Sequence, residues 1–105
     1  MKTVPKRGDA LRSAGSPLVV ISGAGFNERV GRAVCWPVSM DAAQEDNPFA
    51  VPIGSRRLGL GYVMCHLPQS TDWRADDVIG HPWKRLSPEA FQTAMFKLNE
   101  VLSGD

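Results

Sequence analysis

Two side chains in this 105-residue chain stand where acid–base chemistry could be carried out. Ser39 closes the run Trp36-Pro37-Val38-Ser39, where an apolar strand has to stop and leaves a hydroxyl at its tip. His66 follows Cys65 in Val63-Met64-Cys65-His66-Leu67, and neighbours on a strand face opposite sides of the sheet. Cys65 is the less polar and is expected to point inward. That leaves His66 toward a cleft or solvent, as a proton carrier or as an ordinary surface histidine. Trp36, Trp73 and Trp83 offer rings on which bases stack, at about 1–3 kcal/mol each, or else belong to the core or a subunit interface.

Other chemistries fit less well. Val20-Ile21-Ser22-Gly23-Ala24-Gly25 has the strand-then-Gly-x-Gly look of a dinucleotide site. The third glycine position carries Glu28, however, and the next strand begins too soon for a crossover helix. The two histidines and two cysteines match no zinc spacing, so neither metal nor cofactor is expected. Cys35 and Cys65 lie in apolar runs without CxxC spacing and read as buried free thiols. The net charge of +1 gives no bulk attraction to nucleic acid. Any such affinity must come from local clusters: Lys2/Lys6/Arg7, Arg56-Arg57 and Lys84-Arg85.

The elements that position these residues are short. Ala10–Ala14 reads as a clipped edge strand, and 17–22 as a buried strand because Leu-Val-Val-Ile has no polar face. A loop, with or without one helical turn, fills 23–31, and a second strand over 32–38 is expected to end at Pro37. Further strands are expected at 49–53 and 58–67. The glycines of the latter suggest a bulge or a close backbone approach. Residues 69–86 are mixed, with strand-like pieces at 71–74 and 78–79. Ser87-Pro88-Glu89 then opens a helix whose Phe91, Ala94, Met95, Leu98, Val101 and Leu102 form one apolar stripe. Phe96 lies off that stripe and is either an exposed aromatic or a subunit contact. The expected class is α+β: one domain over 1–105, a small, strongly curved antiparallel sheet or barrel with a C-terminal helix. No apolar run approaches the ~20 residues of a membrane span, and no leader pattern follows Met1-Lys2. A soluble, cytoplasmic protein is expected.

Taken in order, these segments resemble the MazF/PemK/Kid family of bacterial toxins. Lys6-Arg7-Gly8-Asp9 is similar to the family's opening turn, and Ser16-Pro17-Leu18-Val19-Val20-Ile21 to its Arg-Pro-Val-Leu-Val-Ile strand. Phe26-Asn27-Glu28-Arg29 resembles the loop with a conspicuous asparagine, and Pro37-Val38-Ser39 the Pro-Val-Thr/Ser strand end. Gly61 to Pro68 with Thr71-Asp72 is similar to Gly-Val-Val-Arg-Cys-Asp-Gln-Pro and the Thr-x-Asp beyond it. The resemblance implies a homodimer, a cognate antitoxin partner and metal-independent endoribonuclease activity on single-stranded RNA. It also marks departures at the chemistry. The usual arginine before the strand proline is Ser16, the preceding loop is shortened, and Met64-Cys65-His66 stands for Arg-Cys-Asp. On this basis Ser39, His66 and Arg12 are the expected catalytic set. Arg7, Arg56, Arg57 and Trp36 are the expected RNA contacts. Two alternatives share the scaffold: an RNA- or partner-binding protein without catalysis, and a gyrase-targeting toxin. The latter branch uses a Trp-Gly-Ile-type end, whereas this chain ends Leu102-Ser103-Gly104-Asp105.

Overall fold

A computed structural model of the chain describes residues 2–103. Strands β1 (Asp9–Ser13) and β2 (Ser16–Val20) form a hairpin, followed by helix α1 (Ala24–Val30) and strand β3 (Ala33–Ser39). A 3-10 turn at Ala42–Asp46 leads into the hairpin β4 (Ala50–Ser55) and β5 (Gly59–Met64). Strands β6 (Gln69–Thr71) and β7 (Val78–Arg85) and helix α2 (Pro88–Ser103) complete the chain. All strand pairs are antiparallel, in the order β4-β5-β3-β2-β1-β7, with β6 on β3. The curled sheet and terminal helix are the architecture the sequence pattern implies.

Strict alternation along the central strands divides the apolar residues between two clusters. Val19, Trp36, Val38, Val51, Val63 and Cys65 face the side on which α2 packs through Ala94 and Leu98. Leu18, Val20, Ala33 and Cys35 face the outer side, where Trp73 and Val78 cover them. Both thiols are free and buried. Ser87 caps α2 by accepting the Ala90 N–H at 3.2 Å. The apolar stripe runs past the sheet, so Val101 and Leu102 at its end are exposed.

Three local readings are corrected. Residues 24–30 form a helix rather than a loop, because Asn27 fixes them: its side-chain amide donates to the carbonyls of Pro5 (2.8 Å) and Ser22 (3.1 Å). Pro37 does not end β3. The Ile21 N–H donates to Val34 O, and hydrogen bonding alternates along a strand, so the Pro37 nitrogen points away from β2. It falls in the gap where β6 stops at Cys35 and β5 begins at Val38, and no ladder bond is lost. Lastly, 78–85 is one strand whose register with β1 shifts between Asp9 and Leu11, and Gly80, Pro82 and the left-handed Lys84 (φ 66°) hide its period.

That irregular strand brings Trp83 across the open seam of the curl. Its indole N–H donates to Leu58 O (3.3 Å) and Gly59 O (3.1 Å) in the β4–β5 turn. A Cβ on Gly54 would stand 2.6 Å from Trp83 Nε1, and one on Gly61 2.8 Å from Trp83 Cη2. A Cβ on Gly54 would also clash with Gly59 O, so the glycines mark a close approach of both backbone and ring.

Candidate functional site

On the outer side, the second half of β3 and the adjoining β5 and β4 lie beyond the cover that Trp73 and Val78 give to β2 and the first half of β3. On the uncovered part, Ser39 pairs directly with Tyr62, which in turn pairs with Pro52. Directly paired residues share a face. Val38 and Val63 lie in the helix-side cluster, so Ser39 and Tyr62 project to the opposite, outer side. Both are half-buried, while Pro52 and Leu60 beside them are exposed. Ser39 Oγ accepts the Asp41 N–H at 3.2 Å, which fixes the oxygen and leaves its own proton free to be donated. The β2–β3 register pairs Leu18 with Pro37 and Val19 with Trp36. Continued by two residues, it sets Ser16 opposite Ser39. The β1–β2 connection is a two-residue turn, Ala14 (φ 49°) and Gly15 (φ 85°). No long loop from that turn overhangs the site.

The other expected site residues are spread over the molecule. His66 lies in the turn after β5, four residues beyond Tyr62. Its ring packs against Phe49 at a tilt of 41° (centroids 5.6 Å apart), and its Nδ1 is buried without a partner. Arg12 pairs with Pro17 and Ile79; alternation sets it on the Ala10 side, opposite to Ser39. Its charge acts on His81, whose pKa is lowered from 6.5 first by burial and then by Arg12. Arg7 is at the far end of β2, donating to Ile21 O at 3.1 Å. Arg56 and Arg57 are exposed at the β4–β5 turn, on the hairpin that carries Tyr62. Trp36 is fully buried against Phe91 (centroids 5.7 Å apart). A ring with no exposed surface cannot stack on a base, so that expectation is withdrawn in favour of a core role.

Two residues gain a meaning from the structure that the sequence does not show. Tyr62 was hidden in an apolar run and is singled out only by its register opposite Ser39. Asn27 was noticed, but only its burial explains it: besides the bonds above, it accepts from Ser22 Oγ, and its backbone carbonyl accepts the Trp73 indole N–H at 2.8 Å. Among the described residues no three His, Cys, Asp or Glu side chains gather in a metal-binding group. A cavity of about 500 Å³ lies under the N-terminal segment, bordered by Val4, Leu11, Val78 and His81, on the covered half and apart from Ser39. Both thiols are pushed up to about 11, chiefly by burial, and are poor nucleophiles at neutral pH. Among the described residues no helix is long and apolar enough to cross a membrane.

Solved structures with this fold are numerous. The chain resembles the MazE–MazF complex from Deinococcus radiodurans with a TM-score of 0.84 and 23% identity, covering 98% of this chain and 100% of that one. MazF alone from the same organism gives 0.83 and 21%, with 97% and 99% covered. An endoribonuclease from Mycobacterial species gives 0.77 and 18%, with 98% and 95% covered. No curated protein sequence matches significantly. The family of PemK-like, MazF-like toxins of type II toxin–antitoxin systems matches residues 2–102, nearly the whole length. The ordered motifs, the curled sheet with its terminal helix and that match agree: this chain belongs to the PemK/MazF toxin family.

Proposed function

We propose that this chain is the toxin of a type II toxin–antitoxin pair and cleaves single-stranded RNA without a metal ion. The reaction is transesterification. The ribose 2′-oxygen attacks the adjacent phosphorus, its proton passing to a base; the bond from phosphorus to the 5′-oxygen breaks, and that oxygen takes up a proton. The products are a 2′,3′-cyclic phosphate and a 5′-hydroxyl. Negative charge builds on the non-bridging oxygens, and donors held in place stabilise it. Ser39, with its oxygen fixed by the Asp41 N–H and its proton free, is assigned that role. Arg56 and Arg57 supply positive charge along the same hairpin for the strand to follow. His66, in the turn just past the strand that carries Tyr62, is proposed as the proton carrier, and Arg12, on the helix side of the sheet, has no assigned part in the step.

The observation that carries this reading is a family match over residues 2–102, with a hydroxyl kept at the family's Thr/Ser position on an open face. One of the similar structures is an endoribonuclease, and another is a MazE–MazF complex. By the same analogy the chain works as a homodimer in the cytoplasm and is silenced by a cognate antitoxin. The test is incubation of the purified protein with a defined single-stranded RNA in EDTA, followed by identification of the ends. Cyclic-phosphate and 5′-hydroxyl termini are expected, and RNA left intact at micromolar protein defeats the proposal. Ser16 in the family's arginine position favours one rival, binding without catalysis, which the same gel would reveal as a mobility shift with no products.

A further inference from the structure

Ser39 is not the only hydroxyl donor on the uncovered face. We infer that Tyr62 is a further catalytic residue, its phenol donating a hydrogen bond to a non-bridging oxygen of the phosphodiester that Ser39 contacts; this rests on the endoribonuclease reading. Tyr62 is the residue paired with Ser39 across β3 and β5. Cβ atoms of directly opposed residues lie about 4.5–5.5 Å apart, so both side chains reach one small group placed over the sheet. They share the outer face, because Val38 and Val63 next to them enter the opposite cluster. Neither belongs to a buried cluster, and exposed Pro52 and Leu60 flank the tyrosine, so the approach from solvent is open.

The chemistry explains why a donor is needed at this place. Ser16, which the register carries to the position opposite Ser39, is uncharged, and Arg12 lies on the other side of the sheet. A serine alone would leave the charge developing on phosphorus with one fixed donor. A phenolic O–H on a rigid ring held between Ser39 and Pro52 provides a second, without the conformational freedom of a lysine or arginine.

Tyr62 is the sole tyrosine of the chain, which makes the inference directly testable. Tyr62→Phe keeps the ring and removes the donor. The expected result is a fall in kcat of roughly 10²–10³-fold. RNA affinity should stay within about threefold and the melting temperature should not change. A merely structural tyrosine would move the melting temperature and leave kcat alone. In parallel, the tyrosine is labelled with ¹³C at the ring carbon bearing oxygen. The protein is then titrated with a single-stranded RNA carrying 2′-deoxyribose throughout the central nucleotides, which it cannot cut. The resonance is expected to move on binding. A Tyr62→Phe protein that cleaves as fast as the parent, or a resonance that stays still while RNA binds, overturns the inference. Failure of the parent to cleave any RNA defeats the endoribonuclease reading instead. The resonance then still decides whether the phenol meets a phosphodiester.

Discussion

The two halves of the outer sheet face differ in what lies over them. On one half, Leu18, Val20, Ala33 and Cys35 are sealed beneath Trp73 and Val78, and the polar groups of two residues there are tied: Asn27 to Pro5 and Ser22, the Trp73 indole to Asn27. On the other half, Ser39 and Tyr62 sit half-buried among exposed Pro52 and Leu60. The same antiparallel ladder thus bears a region whose polar atoms are spent on the fold and one whose polar atoms remain available. Buried polar groups are costly unless satisfied, so the first half holds the structure together. The second can do chemistry because little of the fold depends on it.

Substitutions should separate the halves cleanly. The largest effect is expected at Ser39. Ser39→Ala should slow RNA cleavage by about 10²–10³-fold while shifting stability by less than about 0.5 kcal/mol, measured by single-turnover kinetics and urea unfolding. Next comes Asn27→Ala on the covered half, which strands the carbonyls of Pro5 and Ser22 and should cost about 2–4 kcal/mol in urea unfolding. Cleavage per folded molecule should hold, and a kinetic loss without a stability loss would break the contrast between the halves. His81 gives a smaller, pH-dependent effect. Its folded pKa lies below 6.5, so the unfolded chain binds the extra proton. The stabilisation is full above about pH 6.5 and is lost as pH falls toward the folded value. His81→Gln should flatten that slope, read from unfolding midpoints between pH 7.5 and 5.5. Smallest of all, Cys35 and Cys65 should resist a thiol reagent at pH 8 in the native state and react at once in urea.

How much the sequence disclosed follows from where the information is local. The apolar runs at 17–22 and 32–38 and the capped stripe after Ser87 carry their own periodicity, and the curled sheet with its terminal helix followed from them. β7 was read only as fragments, because Gly80, Pro82 and the left-handed Lys84 break its alternation. The helix at 24–30 depends on hydrogen bonds from Asn27 to Pro5, 22 residues away, which no local window contains. Of the site, the Ser39 hydroxyl could be named from its place at a strand end. The scatter of His66, Arg7 and Arg12 could not, since it depends on register, on alternation and on which end of each strand faces which. Tyr62 became visible only through its pairing.

The indole of Trp83 bridging to the β4–β5 turn has a mechanical consequence. The two free edges of the ribbon meet through one ring seated over Gly54 and Gly61, not through a continuous backbone ladder. The hairpin that carries Tyr62 is thus clamped on two sides, by its ladder to β3 and by this ring, and the phenol is kept in register with Ser39.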